Sequence, residues 1–482
     1  MSGANAKSEK ANNSWWSRFA FERTSMQCNQ VASESVHGAR LAAAELAGCA
    51  ACEEESKLCE CREVNRLAGY ETEQHHSKPN SSFAHSVINM IGMLIGLGQL
   101  STAYALENGG WATAFLLVGL GLVCAYTAHV LGRCLDADPS GGAKSYQDLG
   151  AVAFGSKGRN LAAAFIYLEI FLALVAYTIS LNDNLPLLFP SAHLHLHLPW
   201  LRHVSPRQLL TVAAVMLAVP SLWLRDLSSI SFLSFAGILT SLLIFATVGW
   251  TAAFGGIRAD HVIPALRVGK IPAISGLYAF SYAGHIVFPN IYTAMKDPSK
   301  FTKVSITSFT IVTILYTALA FTGAKLFGPG VSSQITLGMP PHLAATKIAL
   351  WATVLTPMTK YALEFAPFAI QLERSLPSSM SSRTRMLVRG AVGSALLILI
   401  LLLALSVPYF EYVLSLTGSL VSVGISLVFP CVFYLKICRG SVSRSIVVLN
   451  AAIIIVGIVL GVVGTISSSK SLILSIQKGC SS

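Results

Sequence analysis

Eleven apolar segments, each long enough to cross a lipid bilayer, constrain this chain more than any other feature. They occupy 85–106, 110–133, 158–182, 206–224, 228–254, 271–292, 303–327, 342–370, 386–407, 410–436 and 443–466. A crossing helix needs about 20 apolar residues. Lipid offers the backbone no hydrogen-bond partner, so segments of this length must satisfy themselves as helices. The expected fold is therefore all-α: a polytopic membrane protein with about eleven transmembrane helices. Only 12% of the 482 residues are charged and 53% are hydrophobic. A soluble domain carries about twice that charge fraction, so composition argues against one.

Residues 1–80 differ from the rest. They hold nine Lys or Arg and eleven Glu, a sum of −2, whereas the whole chain carries +11. The basic excess thus lies in the membrane portion, where it reads as loop anchoring rather than nucleic-acid binding. The N-terminal stretch has no apolar run, so the first span is expected to serve as the insertion signal. Five of the ten cysteines sit there: Cys28, Cys49, Cys52, Cys59 and Cys61. The string CAACEEESKLCEC lacks nearby His and a second spaced pair, so it is read as reduced and cytosolic and no metal site is expected. Three regions follow: a largely disordered, cysteine-containing tail at 1–80, a membrane domain at 81–470 and a short C-terminal tail at 471–482. The composition names no protein partner for the tail.

Short-loop Lys and Arg residues set the orientation. With the N-terminus in the cytosol, fifteen lie inside (Arg133 and Arg374 among them) and nine outside. The expected arrangement has the N-terminus cytosolic and the C-terminus luminal. Glycan on Asn12, in the sequon Asn12-Asn13-Ser14, would overturn it.

Two spans are interrupted. The first places Gly92, Gly96 and Gly98 at its centre, followed by Gln99, Ser101 and Thr102; the sixth has Gly284-His285 at its centre and Pro289 four residues on. Glycine weakens a helix and proline removes a backbone donor. In lipid, freed backbone groups are tolerated only where buried or lining a cavity. Half-helix N-termini suit a carboxylate and C-termini a cation. Spans 1 and 6 open equivalent blocks of five, the pattern of a five-plus-five inverted repeat. Glycine in a span also serves plain helix packing, and that reading stands beside the first.

Few ionisable groups lie at depth: Glu169 in span 3, His285 in span 6, Lys360 and Glu364 in span 8. Such groups are costly in lipid and mark function by default. At 1.5 Å rise per residue, Gly96, Glu169 and Lys360 lie roughly 16 Å deep and His285 roughly 21 Å. Glu169 and Lys360 are expected to approach each other in one state of a working cycle. The competing pair is Lys360 with Glu364, four apart on one helix, and a permanent structural pair is a third reading. Imidazole titrates near neutral pH, so His285 is either a proton relay or a neutral hydrogen-bonding group. Tyr167, Tyr278, Phe280, Tyr282 and Phe288 are candidate cavity walls. Asn89, Thr356 and Thr359 are candidate ion or scaffold positions. His193, His195 and His197 alternate in the loop after span 3, where a polar lumen-facing loop is the plain reading.

Several stretches, in order, resemble the amino acid/auxin permease family, and within it plant vacuolar amino acid transporters related to the vesicular inhibitory amino acid transporter. They are LSTAYALENGGW (100–111), YQDLGAVAFG (146–155), YLE (167–169), LPLLFP (185–190), SLWLRDLSSIS (221–231), SYAGHIVFPNIYTAM (281–295) and TKYAL (359–363). The resemblance implies the amino acid permease fold, working by alternating access. It implies exchange of neutral amino acids with protons at an acidic organelle, here the vacuolar membrane. It also implies substrate positions at Gly96, Leu97, Gly98, Ser101, Gly284 and His285, with Tyr167, Ala283 and Phe288 beside them, and needs no cofactor. Two positions depart from the pattern. Ala103 stands where relatives usually have Pro, and Ala176 where they often have an acidic residue, leaving Glu169 as the acidic group of that span.

The expected function is therefore a secondary amino acid transporter, coupled to protons. The alternatives are an amino acid-sensing membrane protein with little flux, or a proton symporter of a related small substrate such as auxin. No HExxH, Gly-x-Ser-x-Gly or phosphate-binding loop occurs, so no enzyme is expected.

Overall fold

The computed structural model describes residues 80–138, 142–190, 205–216, 228–376 and 380–481. The tail cysteines, Asn12 and the alternating histidines 193–197 lie outside these residues. Everything below concerns the unit that begins at Lys78.

The first interrupted span forms α1 (Phe83–Leu94) and α2 (Gly98–Gly109), whose axes bend by 59°. Ser82 caps α1 by accepting from the His85 N–H at 3.3 Å. Gly110, at φ +92, turns the chain into α3 (Thr113–Asp136). Next come α4 (Tyr146–Leu188), α5 (Pro206–Met216) and α6 (Ser228–Phe254). The sixth segment forms α7 (Ile271–Ser281) and α8 (Phe288–Ala294), separated by six non-helical or turn residues. Then follow α9 (Phe301–Phe327), α10 (Ala344–Ser375) and α11 (Ser382–Ser406). The tenth segment is α12 (Phe410–Thr417), two π-helical turns (Gly418–Ser422 and Gly424–Val428) and α13 (Phe429–Ile437); α14 (Arg444–Ser481) is last.

Among the described residues, seven helices are long and apolar enough to span a membrane, and the bent α1–α2 pair makes eight. The remaining three expected segments are occupied by α5, whose continuation at 217–227 lies outside the described residues, by the α7–α8 pair, and by α10 with its central charges. No strand occurs among the described residues. A lone parallel bridge joins Ser81 to Met295.

Two helices outrun their hydropathy. α4 begins at Tyr146 rather than 158 because Ser145 and Asp148 form a capping box, reinforced by Arg159 at 2.8 Å from Asp148. A bend follows at Phe154–Gly155, where Gly155 adopts φ +64, and the span expected at 158–182 begins beyond it. α14 runs on to Ser481, through residues expected as a tail, because SLILSIQ offers no Gly or Pro to stop it. α7 meets the tenth segment so closely that a Cβ on Gly418 would lie 1.8 Å from the Gly276 carbonyl oxygen. The π turns begin at that contact.

Candidate functional site

α1 stops at Leu94 because Ile95 turns to extended backbone (φ −78, ψ 114) before Gly96. The carbonyls at this end face away from further helical donors. Lys360 of α10 supplies a replacement: its Nζ donates to the Ile95 oxygen at 2.8 Å and the Gly92 oxygen at 3.5 Å. A half-buried ammonium thus sits on the negative end of a half-helix. Gly96 keeps the approach open, since a Cβ there would lie 3.3 Å from Nζ.

The second break begins where Tyr282 leaves α7 (φ −100, ψ 9). The two breaks meet directly. A Cβ on Gly98 would lie 2.5 Å from the Ser281 Cα, and one on Gly284 would lie 3.3 Å from the Leu94 side chain. Tyr316 of α9 binds both half-helix ends, its hydroxyl lying 2.7 Å from the Leu94 oxygen and 3.2 Å from the Ser281 oxygen.

His285 is fully buried in the second break. Its Nε2 lies 3.2 Å from the Cys124 carbonyl and 3.0 Å from the Thr127 hydroxyl, both on α3. A carbonyl only accepts, so Nε2 carries the hydrogen in that contact, and in the neutral ring Nδ1 is then the bare acceptor. Nδ1 has no partner, and the rings of Phe288 and Phe309 pack at 4.7 and 6.0 Å.

Glu169 and Lys360 do not pair in this structure. Glu169 of α4 accepts from the Ser422 hydroxyl at 2.5 Å, in the π-helical part of the tenth segment. Among the described residues, Lys360 has no ion pair with Glu169 or with Glu364, one turn along α10. The physical reason is the break itself: exposed carbonyls provide the ammonium with acceptors that a continuous α1 would have kept.

The remaining expected residues divide. Gly96, Leu97, Gly98, Ala283, Gly284, His285 and Phe288 lie in or beside the paired breaks. Ser101 is turned away, its hydroxyl donating to the Ser333 oxygen at 2.8 Å. The Tyr167 hydroxyl receives Gln147 Nε2 from the start of its own helix, at 3.5 Å. Thr356 hydrogen-bonds Thr240 of α6 at 2.8 Å, whereas the Thr359 hydroxyl donates to the Thr356 oxygen within α10 at 2.9 Å and packs beside Gly237 of α6. Asn89 is half-buried on α1, before the break. Tyr282 and Tyr278 turn their hydroxyls to Thr313 (2.9 Å) and Thr113 (3.4 Å), away from each other. Among the described residues, no group of three His, Cys, Asp or Glu side chains is placed to hold a metal.

Sequence reasoning missed three participants. Tyr316 reads as one more aromatic in span 7, Thr127 as a routine helix hydroxyl, and Gln99 as part of the first break without a role. A further polar group closes over the end of α4 distant from its capping box. There, Gln334 accepts from Ser180 (2.7 Å) and Asn184 (2.8 Å) and donates to Asp183 (2.8 Å).

The family model for transmembrane amino acid transporter proteins matches residues 79–474. The chain is 59% identical over 426 residues to the amino acid transporter AVT1H of Arabidopsis thaliana, covering 88% of this chain and 97% of that protein. It is 25% identical over 422 residues to the vesicular inhibitory amino acid transporter of Xenopus tropicalis, covering 83% of this chain and 78% of that protein. The crystal structure of MhsT in complex with L-phenylalanine aligns over 81% of this chain and 98% of its own, with a TM-score of 0.47 and 14% identity. Broken spans that abut, a matching family model and close plant relatives together establish that this chain belongs to the transmembrane amino acid transporter family, a non-enzymatic family of multi-pass membrane proteins.

Proposed function

We propose that this protein exchanges neutral amino acids for protons across the vacuolar membrane by alternating access. In this reading eleven spans form a five-plus-five inverted repeat, with the N-terminus cytosolic and the C-terminus luminal. The substrate sits between the α1–α2 and α7–α8 breaks, where the positive N-terminal end of α2 suits its carboxylate and the negative carbonyl end of a half-helix suits its ammonium.

One observation carries the coupling: the Lys360 ammonium capping the carbonyl end of α1. A charged lysine fixes α1 against the scaffold of α6 and α10. A neutral lysine gives up that attraction to the helix end and frees α1 to move. Protonation of Lys360 thereby biases which side of the membrane the site faces. His285 offers its Nδ1 lone pair to the substrate ammonium while Nε2 anchors the break to α3. Glu169 takes a positioning role through Ser422.

The test is uptake by the full chain in proteoliposomes, with an amino acid panel and an imposed pH gradient. An acidic interior should drive accumulation, and collapse of the gradient should abolish it. Uptake indifferent to the gradient would remove the proton from the reading. Binding without turnover would replace transport with sensing.

A further inference from the structure

We infer that Gln99 contacts the transported molecule and selects amino acids with uncharged hydrogen-bonding side chains over aliphatic ones. This rests on the transport reading above and adds a specificity residue to it.

Gln99 is 1% exposed, and neither its amide oxygen nor its amide nitrogen has a hydrogen-bond partner. Its neighbours are satisfied. Ser101 donates to the Ser333 oxygen, Thr102 to the Gln99 oxygen and Ser281 to the Leu277 oxygen, while Tyr316 serves both half-helix ends. An amide buried with both ends idle is costly, and a folded chain seldom retains one without use.

Its position gives the use. Gly98, the preceding residue, abuts Ser281 of α7, and Ala103 abuts Gly323 of α9. At 3.6 residues per turn, Gln99 lies about 100° round α2 from Gly98 and about 40° short of Ala103. Its side chain therefore leaves α2 between those two contacts, within the first turn after the break. The start of α2, which no side chain caps, opens at the same level. The amide thus belongs to the first turn after the break, beside the uncapped start of α2.

An amide offers both a donor and an acceptor, so it matches a side-chain amide or hydroxyl. The residues on either side of it in the chain, Leu97 and Leu100, are apolar and buried. An aliphatic side chain leaves both amide atoms unpaired in the loaded site, whereas a hydroxyl or amide side chain pairs them. Sites built to hydrogen-bond reject the analogue lacking the group.

The experiment uses isosteric pairs, threonine against valine and asparagine against leucine, with the full chain in proteoliposomes. The wild type should favour the polar member in kcat/KM. Gln99→Leu should shift each ratio toward the aliphatic member by about tenfold, and Gln99→Asn should keep the wild-type order. A wild type that favours valine and leucine overturns the inference. So does a Gln99→Leu protein that loses all four substrates by one common factor, because that is a packing defect or the loss of a bound water. Should the wild type move no amino acid, transport fails as a reading, and Gln99 is judged by substrate-induced thermal stabilisation of the purified protein. The same order and the same shift sustain it there, and their absence sinks it.

Discussion

The Tyr316 hydroxyl lies 2.7 Å from the Leu94 carbonyl oxygen, at the last residue of α1, and in the same place reaches Ser281, the last residue of α7. One phenol thus ties together two half-helices that belong to different interrupted spans. It is fully buried, so no water competes for those carbonyls. The paired breaks are coupled through α9 as well as through the Gly98–Ser281 contact.

Tyr316→Phe keeps the ring and removes the tie. Two buried carbonyls then lose a donor, at a cost of about 1–3 kcal/mol. We expect a fall in thermal stability of the purified protein and a drop in maximal uptake, with little change in which amino acid is preferred. Uptake and stability both equal to wild type would show that the hydroxyl is a bystander.

Lys360 and Glu169 should separate on substitution. Lys360→Met removes the cap on α1 and is expected to abolish dependence of uptake on the pH gradient, whatever flux survives. Glu169→Gln retains an acceptor for the Ser422 hydroxyl, so gradient dependence should persist while the rate changes at most a few-fold. Proton movement measured alongside substrate in both variants decides it. Coupling lost in Glu169→Gln and kept in Lys360→Met would assign the proton to the carboxylate instead.

The Ser81 clasp gives a third expectation. Its N–H donates to the Ala294 oxygen and its oxygen accepts from the Lys296 N–H, both at 3.0 Å, joining the chain before α1 to the end of α8. Ser81→Pro deletes the donor. If α1 and α8 move as one unit, their uncoupling slows exchange while equilibrium binding stays near wild type. A rate unchanged by this substitution would mean that the two half-helices move independently.

What could be seen in the sequence follows from the range of the forces involved. Apolar runs and Gly or Pro interruptions are local, so both breaks were visible from Gly96, Gly98, Gly284 and Pro289. Helix ends set by caps were less so: Ser145 and Asp148 extend α4 well before its apolar stretch begins. Partners were the least visible. Ser422 lies 253 residues from the Glu169 it binds, and the acceptors of Lys360 are backbone carbonyls, which carry no residue-type signal at all. In this structure the break itself supplies the acceptors of Lys360 from main chain.

The Gly98–Ser281 contact allows the most direct test that the breaks work as a pair. A methyl group at position 98 would lie 2.5 Å from the Ser281 Cα, which is backbone and cannot rotate aside. Gly98→Ala must therefore push α2 and α7 apart, an overpacking strain of about 1–3 kcal/mol. Gly119, in α3, is the control, because a Cβ there meets nothing within 4 Å. Gly119→Ala should leave uptake unchanged and, if anything, firm its helix. Gly98→Ala should cut uptake about tenfold or more at similar protein yield, since strain of this size at the site displaces the groups that hold the substrate. Equal activity in the two variants would mean that the close approach of the breaks has no part in transport.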